Sequence, residues 1–271
     1  MYEHELEVAS RLVVELGENM QDALMNADIG TIDLKEDYSY LTDTDRGNNR
    51  RGIQILKQEF PHDGVRGEEE SDLNKNDRRR WVLDPVDGTF PFICGIPTSV
   101  ILLGLEENGV PLVSCMYSPY VKRLYCAAKG VGAFLNGKQV RINREQTPPT
   151  LNRAAIGTCG PDPSSLFDLA QVRFDLAKAG AKIQVLGSTG HETAMVGLGK
   201  FAGQVFGGET GHDVIFGDLF VGEVGGVSSN IFGDCHDFSA PIAGSVMSVN
   251  GRIHDALLEI IEPNLTKPWK A

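Results

Sequence analysis

The chain lacks the features that mark a membrane, secreted or disulfide-framed protein. No apolar run approaches the ~18 residues that cross a bilayer, which argues against a membrane partner. The opening residues, MYEHELEVASRLVVELGE, carry acids throughout and have no basic segment leading into an apolar stretch. That is unlike a secretory signal, so a cytoplasmic location is expected. Cysteine is scarce: Cys94, Cys115, Cys126, Cys159 and Cys235 are odd in number and widely spaced, with no CxxC pair. Neither a disulfide framework nor a zinc site is suggested, and buried, reduced thiols are expected. Positive charge is also short, with 25 Lys and Arg against 37 Asp and Glu and a formal net charge of −12. Such a surface repels the phosphates of nucleic acids and argues against them as partners. It would equally repel a small phosphorylated substrate, unless bound cations reverse the local sign.

What is present describes a soluble globular chain of 271 residues, 41% apolar and 23% charged. That length accommodates one large domain or two closely packed lobes. Leu6, Ala9, Val13, Leu16, Met20 and Leu24 step at helical spacing and predict a helix over 3–27. Residues 28–45 read as polar and irregular, followed by a helix with Ile53, Leu56 and Phe60 that Pro61 closes. The charged run GEEESDLNKNDRRR reads as a solvated loop leading into a short strand, Trp81-Val82-Leu83. SVILLGLE, PLVSCMY and KRLYCAA read as strands, with Asn108-Gly109 as a turn, and Asn136-Gly137 marks a further hairpin. The stretch REQTPPT at 144–150 reads as a connector between lobes of about 1–146 and 151–271 within a single domain. Beyond it, strands LNRAAIG, KIQVLG, AGQVF and SVMSVN alternate with helices near 164–179, near 190–199, from Asp213, and one ending near Ile261. Strands and helices without strict alternation predict a layered α/β or α+β sandwich.

The most informative segment is Asp84-Pro85-Val86-Asp87-Gly88-Thr89. An apolar strand delivers two aspartates into a loop, where proline fixes one turn and glycine permits another. A tight turn can aim both carboxylates at one place, and Glu68 and Glu69 precede them on another connection. Like charges at ~4 Å cost roughly 1–4 kcal/mol, so such a cluster calls for a divalent cation. Oxygen donors suit Mg²⁺ better than zinc, and a pair of ions would activate water and stabilise a leaving oxygen.

At these residues the chain resembles the inositol monophosphatase family of metal-dependent phosphatases. Lys35 with Leu41-Thr42-Asp43-Thr44-Asp45-Arg46 is similar to the family's lysine and TxxD segment. Phe60-Pro61 with Gly67-Glu68-Glu69 is similar to its FP…GEE signature. Trp81 to Thr89, then Phe92 and Gly95-Ile96-Pro97, resembles WxxDPxDGTxxFxxGxP. Gly132 to Gly137 resembles its GAFxNG hairpin, and Asp213 with Glu223-Val224-Gly225-Gly226 its C-terminal signature. The resemblance implies a layered αβαβα fold of the sugar-phosphatase type, a homodimer, lithium sensitivity and two or three Mg²⁺ ions. It implies that Glu68, Asp84 and the Val86 carbonyl hold one metal, and Asp84, Asp87 and Asp213 a second. A third ion would lie near Glu68, with Asp45 positioning its water. Thr89, Asp45 and Glu68 would serve catalysis by orienting the attacking water. Gly88, Thr89, Asp87, Asp213 and His212 would face the substrate, a small phosphate monoester. Inositol monophosphate or a related sugar or cyclitol phosphate is the first choice and histidinol phosphate the second.

The C-terminal signature departs from the family where His212 replaces the usual tryptophan and Ile215-Phe216-Gly217 replaces AAG. His212 either contacts substrate or takes over aromatic packing. Gly132 to Gln139 nearly spells a phosphate-binding loop, but its last position lacks the hydroxyl and Asn-Gly reads as a turn. Gly197-Leu198-Gly199 lacks the third glycine of a dinucleotide fingerprint. His4, His62, His191, His236 and His254 are scattered, without metal-ligand spacing, and read as surface or packing residues. Ser188-Thr189-Gly190 reads as a helix cap. A non-catalytic regulatory protein on the same fold is the rival reading, and it would be expected to have lost Glu68, Asp87, Thr89 or Asp213.

Overall fold

The computed structural model describes residues 2–26, 28–36, 39–73, 78–159 and 165–266. In its first half, α1 (Glu3–Met25) leads through β1 (Ile32–Leu34) and β2 (Tyr40–Thr42) to α2 (Asp43–Glu59). β3 (Gly64–Gly67), β4 (Ser71–Asp72) and β5 (Arg79–Asp87) precede the short α3 (Thr89–Ile93). β6 (Val100–Glu107), β7 (Val110–Ser118), β8 (Arg123–Ala128), β9 (Gly132–Leu135) and β10 (Lys138–Val140) form a meander. The second half runs β11 (Ala155–Cys159), α4 (Leu169–Lys178), β12 (Lys182–Gln184), α5 (Thr189–Gly197) and β13 (Gly203–Phe206). α6 (Gly211–Glu223), β14 (Val227–Ser229), β15 (Ser245–Ser248) and α7 (Gly251–Ile261) complete it.

These elements stack in five layers. An eight-stranded sheet has the order β10-β9-β8-β7-β6-β5-β3-β4, and a five-stranded sheet the order β12-β11-β13-β15-β14. α1 and α2 cover the outer face of the large sheet, α5 and α6 fill the space between sheets, and α4 and α7 cover the small sheet. This is the αβαβα sandwich expected. The outer core beneath α1 and α2 contains Leu12, Leu16, Trp81 and Leu83. The larger core joins both halves of the chain, with Val82 and Leu102 sharing a cluster with Ile156, Val205 and Phe216.

Several expectations shift. α1 buries Val8, Ala9, Leu12, Val13, Leu16 and Met20, whereas Leu6 and Leu24 are only partly buried. It ends at Met25, and Ala27 lies outside the described residues. The stretch 28–45 is only partly irregular: it contains the paired strands β1 and β2 and the start of α2, and residues 37–38 lie outside the described residues. Hairpin strands of three mostly exposed residues leave too short an alternation to recognise. Thr42 caps α2 through a capping box with Asp45, which moves the helix start to Asp43. The charged run is not a solvated loop throughout. It contains β4 and the first residues of β5, which spans nine residues, and the Glu69 side chain is only 7% exposed. Residues 74–77 of that run lie outside the described residues. In the second half, the strand expected at 151–157 begins at Ala155, and β14 had no clear signal. Among the described residues no helix is long and apolar enough to cross a membrane. Cys115, Cys126 and Cys159 are buried as expected, but Cys94 and Cys235 are exposed.

Candidate active site

A slip in strand register builds the centre of the site. β5 pairs with β6 through Asp84↔Leu102, and the next pair is Asp87↔Val100. Three steps on β5 therefore match two on β6, a β-bulge that contains Pro85 and Val86. Proline has no N–H to give the ladder and is tolerated where the ladder is already broken. Side chains three apart on a regular strand face opposite ways, and one extra residue reverses that parity. Thus Val82 faces the inter-sheet core, Val86 turns into the outer core, and Asp84 and Asp87 project together.

Four elements converge on this point. One ligand atom each from Asp84, Asp87 and Asp213 lies within 4.8 Å of the others, and the same holds for Glu68, Asp84 and His212. Glu68 follows β3, which runs parallel to β5, and its N–H donates to the Leu83 carbonyl at 3.1 Å. Asp213 and His212 lie in the first turn of α6, where Thr210 Oγ1 donates to Asp213 Oδ2. His212 Nε2 is 3.5 Å from Asp213 Oδ2, so its imidazole faces the acids. Among the described residues no lysine or arginine pairs with Asp84, Asp87 or Asp213.

The acids are held differently. Asp87 receives three hydrogen bonds from the start of α5: Ser188 Oγ at 2.6 Å, Thr189 N at 3.0 Å and Gly190 N at 2.8 Å. Burial and the charge of Asp213 nevertheless push the Asp87 carboxyl up to about 7. Among the described residues Asp84 accepts only the Val86 N–H, at 3.0 Å. Burial, then Glu68, Asp87 and Asp213, raise it well above the usual carboxylate range. Burial also raises Asp213, against the opposing pull of His212. Close approach explains Gly190, whose Cβ would stand 2.3 Å from Leu102 and 3.1 Å from Asp87 Oδ2.

Thr89 and Asp45 form a separate relay beside the cluster. Thr89 Oγ1 donates toward Asp45 Oδ1 at 3.1 Å and lies 3.2 Å from the Val86 carbonyl. The other oxygen of Asp45 is taken by the Thr42 N–H at 2.9 Å and by its hydroxyl. Gly88 sits between the bulge and Thr89 with φ of +88°, which glycine adopts without strain. A Cβ there would also approach the Gly187 carbonyl to 2.9 Å. At the outer edge Lys35 Nζ bonds Glu68 at 2.8 Å and Glu69 at 2.6 Å. Burial opposes the lysine's charge, but the two carboxylates outweigh it and hold the ammonium above its usual range.

Of the residues expected at the site, Glu68, Asp84, Asp87, His212 and Asp213 are brought together, and Gly88, Thr89, Asp45 and the Val86 carbonyl lie beside them. Sequence reasoning missed the grip of α5 on Asp87. Ser188 was legible as a helix cap, and it does accept from His191 N, but its bond to Asp87 spans 101 positions. His212, expected to face the substrate, also comes within reach of Glu68 and Asp84.

Comparison with known proteins agrees with this architecture. A family model described as the inositol monophosphatase family matches residues 1–265. The chain is 31% identical over 239 residues to an inositol-1-monophosphatase of Rhizobium meliloti, covering 85% of this chain and 86% of that one. It is 29% identical over 238 residues to a histidinol-phosphatase of Mycobacterium tuberculosis, covering 84% and 86%. Its fold matches the crystal structure of the extragenic suppressor protein suhB from Bartonella henselae with a TM-score of 0.86 at 22% identity, over 96% and 98% of the two chains. The chain belongs to the inositol monophosphatase family and is, with that family, a hydrolase of phosphate monoesters.

Proposed function

We propose that this protein hydrolyses a small sugar or cyclitol phosphate, inositol monophosphate first among them, in a Mg²⁺-dependent reaction. The observation that carries the reading is the trio of buried Asp84 and Asp87 with half-buried Asp213, brought within ligand distance with no lysine or arginine paired to them among the described residues. All of its donor atoms are hard carboxylate oxygens, which fit Mg²⁺. Glu68, Asp84 and the Val86 carbonyl would hold one ion and Asp84, Asp87 and Asp213 another, with room for a third near Glu68. When bound, such ions polarise the phosphoryl group and lower the pKa of water.

The chain's own groups supply orientation and proton handling. The Thr89 hydroxyl donates to Asp45, so its oxygen is left to accept a hydrogen bond from the attacking water and align it. Glu68 would hold that water from the opposite side. Backbone N–H groups at Gly88 and Thr89 would fix the phosphate, and Asp87, Asp213 and His212 would border the leaving group. Phosphoryl transfer gains most from such positioning and charge neutralisation. A single domain, a homodimer, lithium sensitivity and a cytoplasmic place of action belong to the same reading. Light scattering tests the dimer.

Histidinol phosphate is the second substrate reading, favoured by the Mycobacterium relative and by His212 beside the carboxylates. Phosphate release from inositol monophosphate, histidinol phosphate, fructose bisphosphate and an adenosine bisphosphate tests both. The assay is run with Mg²⁺, with chelator, and on Asp87→Asn. Magnesium-dependent release lost in Asp87→Asn is the expected result, and the preferred compound identifies the branch. Release that survives chelation would sink the proposal.

A further inference from the structure

Two of the five cysteines meet on neighbouring strands of the large sheet, in the outer core on the face beneath α1. Cys115 on β7 and Cys126 on β8 are direct partners in the antiparallel register. The Lys129 N–H donates to the Leu112 carbonyl at 2.9 Å, one step beyond the Val113↔Ala128 pair. Hydrogen-bonded and non-hydrogen-bonded pairs alternate along such a ladder, so Cys115↔Cys126 falls at a non-hydrogen-bonded position. There the Cα atoms stand ~4.5 Å apart and the side chains lean together, within the span a disulfide can bridge. The two sulfurs lie 2.6 Å apart. Ser10 Oγ, reaching down from α1, is 3.3 Å from Cys126 Sγ and 3.7 Å from Cys115 Sγ. That hydroxyl can donate to whichever sulfur carries charge in an otherwise apolar layer.

The geometry points to Cys115 and Cys126 as an oxidation site, a reduced dithiol that peroxide converts to a cross-strand disulfide without displacing the backbone. Cys126 is 7% exposed and Cys115 fully buried, which makes Cys126 the sulfur that a small oxidant meets first. The Cys126 sulfur attacks one peroxide oxygen. A sulfur–oxygen bond forms, the O–O bond breaks, and the thiol proton leaves with the departing oxygen as water. Cys115 then attacks the Cys126 sulfenic sulfur. The S–S bond forms, the S–O bond breaks, and a second water carries off the hydroxide and the Cys115 proton. Two sulfurs lose one electron each and hydrogen peroxide gains both.

The test uses the full chain and a Cys94→Ser/Cys235→Ser variant, which removes the two exposed thiols. Reduced protein is treated with hydrogen peroxide, unfolded in iodoacetamide, and digested without reductant for mass spectrometry. The chain between the pair contains Lys122 and Arg123, so trypsin separates the two sulfurs unless they are bonded. The expected result is a linked Cys115–Cys126 peptide pair that dithiothreitol splits, with Cys159 still alkylated, in both proteins. The inference is overturned if Cys115 and Cys126 remain alkylated at a peroxide dose that oxidises Cys94 and Cys235 of the full chain. Sulfinic acid at either position in place of the linkage would overturn it equally.

Discussion

Glu106 on β6 and Asp84 on β5 are both buried acids in one sheet, and they solve the problem of burial in opposite ways. Glu106 is paired across the strands with Arg80, whose guanidinium bonds it, and it also accepts the Gly109 N–H at 2.7 Å. Asp84 has one backbone N–H and is surrounded by Glu68, Asp87 and Asp213. The first arrangement is complete within the chain. The second is complete only when positive charge arrives from outside. A buried carboxylate is thus no mark of function by itself; the mark is a buried carboxylate whose neighbours share its sign.

The largest test of that contrast is Asp84→Asn. It should reduce kcat/KM roughly 10³-fold, because charge stabilisation at a phosphoryl centre is worth several kcal/mol. In chelator the same variant should melt at a higher temperature than the parent, since an unneutralised charge has gone. A lower melting temperature in differential scanning calorimetry would break the contrast. Glu106→Gln should do the reverse. It leaves the half-buried Arg80 without its partner and should lower stability by about 2–3 kcal/mol in urea unfolding. Activity per folded molecule should stay at the parent level, and a large loss would mean that Glu106 serves the site.

The smallest effect is in pH. The folded-state carboxyl of Asp87 lies at about 7, above its value of ~3.9 in an unfolded chain. The folded protein then holds more protons than the unfolded one between these values, so stability falls as pH rises through that window. That contribution is fully present below ~3.9 and lost by about pH 7. Melting temperature measured in chelator from pH 5 to pH 8 should decline less steeply for Asp87→Asn than for the parent. With Mg²⁺ the parent's slope should flatten or invert, because the metal competes with the protons. Equal slopes for parent and variant would remove Asp87 from the group of strained acids.

Much of this was legible in the sequence because it is local. The helical stepping of α1, the Asn-Gly turns and the ordered signatures around Asp84 and Asp213 all lie within short windows. What escaped depends on distance along the chain or on elements too short to show a period. Asp87 is fixed by residues about a hundred positions away, and the β1–β2 hairpin that carries Lys35 to Glu68 has strands of three residues. The charged run misled for a related reason. Its acids look like any solvated loop until Lys35, 33 positions earlier, folds back over Glu68.

The bulge at Pro85 and Val86 implies that this active site is written partly as a count. Pair the same residues without the slip and Asp84, Asp87, Glu68 and Asp213 all survive in the sequence, in order and in spacing. The strand would resume its regular parity, and Asp87 would point beneath α1 and α2 while its neighbour took its place between the sheets. Such a chain would keep its motif and lose its site. The register in which β5 meets β6 therefore says as much about this site as the identity of the two residues inside the slip.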